Sequence, residues 1–181
     1  MWLQYQDLDD VALAFSASLG RALVLAQSFE ENCKYVLLIA NLSKEVEKKR
    51  ISDVEGMKSY SEQLHEWFKL GGAVNQFEHK HKMDAGSIEK LRKGKDARNY
   101  IAHRGAHPLL HGSHSSASVA EALAEYTKEV GSLAEGENLI AQWSYQIQEK
   151  SAPPITLVAA FPEGVAHWVL EPLALFEREN G

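Results

Sequence analysis

The stretch KDARNYIAHRGAH (residues 95–107) contains three side chains suited to cleaving a phosphodiester. Arg98 offers a planar fork of donors that matches the oxygens of a phosphate group. His103 can take or give a proton near neutral pH, as histidines ordinarily do. Asn99 precedes His103 by four residues, so a helix presents both on one face, where Asn99 can orient the imidazole or hold a phosphate oxygen. These residues predict metal-independent cleavage of RNA, which leaves a 2′,3′-cyclic phosphate and a 5′-OH end.

The spacing of one arginine and one histidine is weak evidence by itself. In a chain with six arginines and eight histidines, roughly one such pair is expected by chance. A second pair, Arg104 and His111, has the same kind of spacing, but Gly105 and Pro108 lie between its members and remove any rigid support.

The position of the first pair on a helix favours a functional interpretation. Arg98 follows Leu91 by seven residues, so it points within about 20° of a residue on the stripe that faces other helices. Gly105 ends the helix soon after His103, which leaves His103 exposed in the last turn. The alternative interpretation is structural: an arginine that contacts a helix end, and a histidine that interacts with the helix dipole.

The sequence RNYIAH (98–103), in a chain expected to be all-helical, resembles the signature of HEPN domains. This family consists of four- to five-helix bundles, and many members are metal-independent ribonucleases with an Arg-x4–6-His motif and a polar residue after the arginine. The resemblance covers residues 8–149 in architecture and only residues 98–103 in specific sequence. In one variant of the family a tyrosine follows the histidine by two residues and is modified by a partner nucleotidyltransferase. Gly105 occupies that position here, so such regulation is not expected.

The resemblance implies an endoribonuclease in which Arg98 stabilises the transition state, His103 is the general base or acid and Asn99 supports them. It implies no cofactor. It also implies a toxin–antitoxin or antiphage role, with an antitoxin or inhibitory protein as a partner. A homodimer is expected because Arg98 and His103 lie about 140° apart around one helix, and motifs from two copies would form one composite cleft.

Basic residues around the motif are candidate RNA contacts. Residues 79–105 carry eight basic and three acidic side chains, so this segment has a charge of +5 in a chain whose net charge is −6. Lys95, Arg104 and His107 are the nearest candidates. The alternative interpretation is a solvated basic face.

Two acidic residues on the first helix are candidate supporting residues. Glu30 and Glu31 lie midway along the helix, where they can meet the motif helix and pair with Arg98. The alternative is that both belong to a solvated face.

The histidines near the motif do not predict a metal site. His103, His107, His111 and His114 recur at intervals of three or four residues, which would suit a zinc site on an unbroken helix. Pro108 and Gly112 break that helix, and no cysteine or nearby carboxylate joins the histidines.

Apolar periodicity and capping residues predict four helices followed by a hairpin. The first spans about residues 8–49, with a bend expected near Gly20 or Asn41–Ser43, and the second starts at Ser52 and stops at Gly71–Gly72. A polar connection (73–86), a helix at 87–104, a loop at 105–117 and a helix at 118–149 follow. After Pro153–Pro154, two apolar runs flank Pro162-Glu163-Gly164, which predicts a β-hairpin. We therefore expect an all-α, HEPN-like bundle over residues 1–150, and a C-terminal hairpin extension over residues 151–181 that packs on the bundle or on the dimer partner.

Composition limits the remaining function classes. The chain has 45% hydrophobic and 24% charged residues, which is typical of a globular domain. A single cysteine, Cys33, excludes an internal disulfide framework and fits a cytoplasmic protein. The apolar run near residues 11–27 follows aspartates instead of a basic segment, so neither a signal peptide nor a membrane partner is expected. Two further classes stay open, namely a non-catalytic HEPN-like module that binds RNA or protein, and a plain helical dimerisation domain.

Overall fold

The chain forms a bundle of long helices, with no strand in the parts that the structure describes. The computed structural model describes residues 10–67, 70–106 and 116–180, apart from a few side chains near helix ends. Within these ranges there are six helices: α1 (Asp10–Glu47), α2 (Val54–Trp67), α3 (Leu70–His79), α4 (Ala85–Arg104), α5 (Ser116–Glu149) and α6 (Ile155–Asn180). The predicted all-α class is confirmed.

Helix α1 is the centre of the bundle and packs against each of the other five helices. Its apolar residues recur at steps of three and four, so one stripe faces the core. Phe15, Ala22, Phe29, Cys33 and Leu37 are buried along it. The helix runs unbroken from Asp10 to Glu47, without the interruption that the sequence predicted. By length and composition alone α1 would also suffice to cross a membrane, but here its stripe forms the core.

Helix α4 lies between α1 and α5, and the closest approach uses two glycines. Asp84 caps the start of α4 by accepting a hydrogen bond from the Ser87 amide at 2.9 Å. A Cβ added to Gly94 would lie 3.2 Å from the Gly136 Cα on α5 and 3.0 Å from Phe29 Cζ on α1. The three helices can therefore approach this closely only because neither glycine has a side chain.

The predicted polar connection at residues 73–86 is wrong, because helix α3 occupies its first half. Ala73, Val74 and Phe77 are buried and lie at steps of one, three and four residues, which turns a short apolar face towards α1 and α4. The pair Gly71–Gly72 does not end a helix but lies in the first turn of α3, where both residues are exposed. Burial of the apolar face outweighs the weak helix propensity of the glycines.

The predicted C-terminal β-hairpin is also wrong, since residues 155–180 form the single helix α6. Val165 and Val169 continue a stripe at helical spacing, and Val169 is fully buried where α6 packs on α1 and α5. The residues Pro162-Glu163-Gly164 resemble a turn in sequence, yet the helix passes through them, and it passes through Pro172 as well.

Two polar side chains from other helices replace the main-chain hydrogen bonds that Pro162 and Pro172 cannot donate. A proline has no N–H, so the carbonyl four residues earlier loses its helical partner. For Pro162 that carbonyl belongs to Val158, and Asn138 Nδ2 of α5 donates to it at 3.0 Å. For Pro172 it belongs to Trp168, and Arg21 Nη1 of α1 donates to it at 2.6 Å. Each acceptor that a proline leaves unpaired is thus satisfied from a neighbouring helix.

Candidate functional site

The three motif residues lie on helix α4, whose buried stripe decides where they point. Leu91, Ala97 and Ile101 are buried against the bundle, so the opposite face is open to solvent. Asn99 and His103 lie on that open face and are exposed. Arg98 lies instead at the flank of α4 that borders α1, with 28% of its side chain exposed.

Arg98 makes two polar contacts that fix its guanidinium group. Its Nη2 donates to Glu30 Oε2 on α1 at 2.5 Å, in a half-buried ion pair. Its Nη1 donates to Asn99 Oδ1 at 3.2 Å. An arginine has five N–H donors, so this geometry orients the guanidinium group and leaves donors for a further oxygen ligand.

Glu30 is shared between two cations. Lys34 Nζ lies 3.0 Å from Glu30 Oε1 and 2.9 Å from Glu31 Oε1. Partial burial raises the pKa of Glu30, but the hydrogen bonds and charges of Lys34 and Arg98 outweigh it, so the net shift is downward. For Lys34, burial lowers the pKa, but Glu31 and Glu30 together raise it above the ordinary value. Glu30 therefore stays ionised beside Arg98.

The two candidate supporting acids differ in their contacts. Glu30 contacts the motif helix through Arg98, whereas Glu31 is mostly exposed and its ion pair is with Lys34. Lys34 itself was not among the predicted site residues. The signal that points to it is its spacing from Glu30, since residues four apart on a helix are neighbours.

Asn99 and His103 line an open groove between α4 and α5. Its other lining residues are Asp96, Tyr100, Arg104 and Glu129, and its volume is about 410 Å³. Arg98 is not one of the lining residues, so the structure does not bring Arg98 and His103 into one cleft within a single chain. Asn99 connects the two, because it contacts Arg98 and lines the groove with His103.

The three predicted RNA-contacting residues have different surroundings. Lys95 is half-buried, and its Nζ lies 3.2 Å from Asp96 Oδ1. Arg104 lines the groove with its guanidinium carbon 5.8 Å from the centroid of the Tyr100 ring. His107 lies outside the described residues.

The residues at this site suit acid–base and phosphate chemistry. Across residues 10–67, 70–106 and 116–180, no three His, Cys, Asp or Glu side chains form a group that could hold a metal ion. An exposed imidazole, an oriented guanidinium group and a connecting amide are what the site offers. No family model matches the chain, and no curated protein or solved structure matches it significantly.

Proposed function

We propose that this protein is a metal-independent endoribonuclease of the HEPN type, with Arg98, Asn99 and His103 at its reaction centre. The observation that carries the proposal is the hydrogen bond from Arg98 to Asn99, which connects an oriented guanidinium group to the groove that exposes His103. A cytoplasmic location and a role in a toxin–antitoxin or antiphage system belong to the same proposal.

The chemistry assigns one step to each side chain. His103, as the general base, takes the proton from a ribose 2′-OH, and the 2′ oxygen attacks the adjacent phosphorus. Arg98 stabilises the additional negative charge on the phosphorane through donors not used by Glu30 and Asn99. The bond from phosphorus to the 5′ oxygen then breaks, and the leaving oxygen takes a proton from an imidazolium. The products are a 2′,3′-cyclic phosphate and a 5′-OH end.

A homodimer solves the geometric problem of the site. Within one chain, Arg98 lies at the α1 flank of α4 and His103 lies on the open face, about 140° away around the helix. A second copy related by a twofold axis, with a cleft left between the open faces of the two α4 helices, brings another His103 towards the first motif. That arrangement supplies one imidazole as the base and another as the acid.

One observation favours a non-catalytic RNA- or protein-binding module instead. The ion pair with Glu30 neutralises much of the charge of Arg98 and keeps it beside α1. A helix contact of this kind is sufficient to explain the arginine without any chemistry.

Cleavage by purified protein in EDTA tests the proposal. The variants are His103→Ala and a matched control, His167→Ala, which removes an exposed histidine from α6. We expect wild type and the control to cleave total RNA or tRNA to cyclic-phosphate and 5′-OH ends, and His103→Ala to lose at least roughly a hundredfold in rate. RNA binding without cleavage would favour the binding module, and equal cleavage by all three proteins would contradict the assignment of His103.

A further inference from the structure

The two flanks of the open face of α4 present different groups to a ligand. On the α1 side, Lys34 and Arg98 surround the carboxylate of Glu30. On the α5 side, Asp96 and Glu129 line the groove together with Arg104, and the charge of Glu125 adds to burial in raising the pKa of Tyr100. His103 lies between the two flanks. A polynucleotide that crosses this face meets the remaining donors of Arg98 on one side and the carboxylates of Asp96 and Glu129 on the other.

Phosphate and base have different requirements, which sets the direction in which RNA crosses. A phosphate is repelled by carboxylates that lack a cation partner and attracted by guanidinium donors, so the backbone passes over the flank where Arg98 keeps donors that Glu30 and Asn99 do not use. The uncharged base is then directed into the groove on the α5 side. There Tyr100 and the guanidinium group of Arg104 provide planar surfaces on which a base can stack.

Glu129 is the residue in this groove best prepared to select a base. Its side chain is only 17% exposed, and the nearest cation, Lys128 Nζ, lies 3.7 Å away, which is beyond hydrogen-bond distance. The carboxylate is therefore largely buried and keeps its capacity to accept hydrogen bonds. Asp96 is far more exposed, at 70%.

An ionised carboxylate accepts hydrogen bonds and donates none, so it distinguishes bases by their donors. The Watson–Crick edge of guanine presents two adjacent donors, N1–H and N2–H, which match the two oxygens of one carboxylate. Adenine and cytosine each present one amino donor beside an acceptor nitrogen, and uracil presents one imino donor between two acceptors. A bidentate pair therefore forms only with guanine.

We propose that the groove between α4 and α5 is a base-specificity site that selects a guanine next to the scissile phosphate, with Glu129 as the residue that reads it. The proposal rests on the proposed ribonuclease function for the scissile position. The base site itself stands on the groove, Glu129 and the stacking pair of Tyr100 and Arg104.

Two assays test this inference independently of each other. The first maps cleavage positions on an RNA of balanced composition. The second measures binding of uncleavable 2′-O-methyl hexauridylates in which one uridine is replaced by guanosine or by adenosine. The variant is Glu129→Gln, and the matched control is Glu135→Gln, which removes the same charge from α5 beside the neighbouring groove. We expect wild type and the control to favour guanosine in both assays, and Glu129→Gln to reduce that preference roughly tenfold.

The outcomes separate this inference from the proposed function. Cleavage without a preference for guanosine, or a preference that Glu129→Gln leaves intact, would overturn the base site and leave the ribonuclease proposal standing. Absence of cleavage would count against the ribonuclease proposal alone, because binding still decides the base site. In that case a guanosine preference that depends on Glu129 supports it, and equal binding of both hexamers overturns it.

Discussion

Asn138 Nδ2 donates a hydrogen bond to the main-chain oxygen of Val158 at 3.0 Å. This oxygen is the acceptor that Pro162 cannot serve, because proline has no N–H. Asn138 is buried on α5, and its amide thus replaces a missing rung in the hydrogen-bond ladder of α6. The polar side chain of Asn138 is therefore buried because it replaces the N–H that Pro162 lacks in α6.

This relationship predicts a specific pattern of stability. Asn138→Ala leaves the Val158 oxygen unpaired and should lower the free energy of unfolding by about 2 kcal/mol. Pro162→Ala restores an N–H that can serve the same oxygen, so Asn138→Ala should cost much less in that background. Urea unfolding of the four proteins in a double-mutant cycle measures the coupling. Additive losses would mean that the contact does not compensate for the proline.

The glycines of α5 should respond in opposite ways to replacement by alanine. A Cβ at Gly136 would lie 3.1 Å from the Gly94 Cα, and backbone cannot move aside cheaply, so Gly136→Ala should destabilise by about 1–3 kcal/mol. Gly131 has nothing within 4 Å of an added Cβ, so Gly131→Ala should stabilise by up to about 1 kcal/mol through helix propensity. Thermal unfolding of both variants tests this, and the same sign for both would contradict the packing argument.

Arg98→Lys should lower the rate of RNA cleavage while leaving the free energy of unfolding nearly unchanged. The lysine keeps the charge opposite Glu30 but cannot also donate to Asn99 in the same fork geometry. We expect the free energy of unfolding to change by less than about 1 kcal/mol and cleavage to fall roughly a hundredfold. Arg92→Lys is the matched control, because Arg92 lies on the same helix and also pairs with an acid, Glu78, at 2.6 Å, but is not part of the motif. Equal activity of the two variants would leave Arg98 with a structural role only.

Glu137 predicts a pH dependence of stability. Its Oε1 accepts from Ser28 Oγ at 2.8 Å and from Asn32 Nδ2 at 2.7 Å, while its buried Oε2 has no hydrogen-bond partner among the residues the structure describes. Burial raises the pKa of Glu137 above the ordinary value of 4.5, and the two hydrogen bonds only partly oppose this. The folded state therefore holds its proton to higher pH than the unfolded chain does.

The sign of the effect follows from this upward shift. Stability from Glu137 is fully present below about pH 4.5 and is lost as the pH rises through the raised pKa. Glu137→Gln cannot ionise, so the stability of the variant relative to wild type should increase between pH 4 and pH 8. Chemical denaturation of both proteins across that range measures the difference between their free energies of unfolding. The contributions of the ionisable groups that both proteins share cancel in this difference. A difference that stays constant would contradict the upward shift.

The helices with long, regular apolar stripes could be predicted from the sequence, whereas the continuity of α1, helix α3 and the helical state of residues 155–180 could not. Apolar periodicity was sufficient to predict the buried stripe of α1. Periodicity together with Gly105 predicted the bounds of α4. Helix α6 was mistaken for a hairpin because a proline and a glycine two residues apart signal a turn. The groups that make a helix possible there, Asn138 and Arg21, are 20 and 147 residues away from the carbonyls they serve. Local patterns carry no information about such contacts.

The candidate site, like the fold, could be predicted from the sequence only in part. The helical position of Arg98, Asn99 and His103 followed from spacing, whereas the contact of Glu30 with the motif helix was one of two alternatives that the sequence left open. The separation of Arg98 from the groove follows from packing, because the ion pair with Glu30 holds the guanidinium group at the α1 flank. The role of Lys34 and of the acidic α5 side of the groove depends on which helices become neighbours, which the sequence patterns left open.

Side chains of α1 and α5 supply the hydrogen bonds that the two prolines of α6 cannot donate. This dependence has a consequence for the order in which the helices assemble during folding. Helix α6 cannot complete its own ladder, since Arg21 of α1 and Asn138 of α5 must be in position first. We therefore expect the folding nucleus to form among α1, α4 and α5, and α6 to dock after the rate-limiting barrier. A truncation in α6 such as Val169→Ala should accelerate unfolding and leave the refolding rate nearly unchanged, whereas Phe29→Leu should slow refolding. Stopped-flow chevron plots distinguish the two, and slower refolding of Val169→Ala would place α6 in the nucleus.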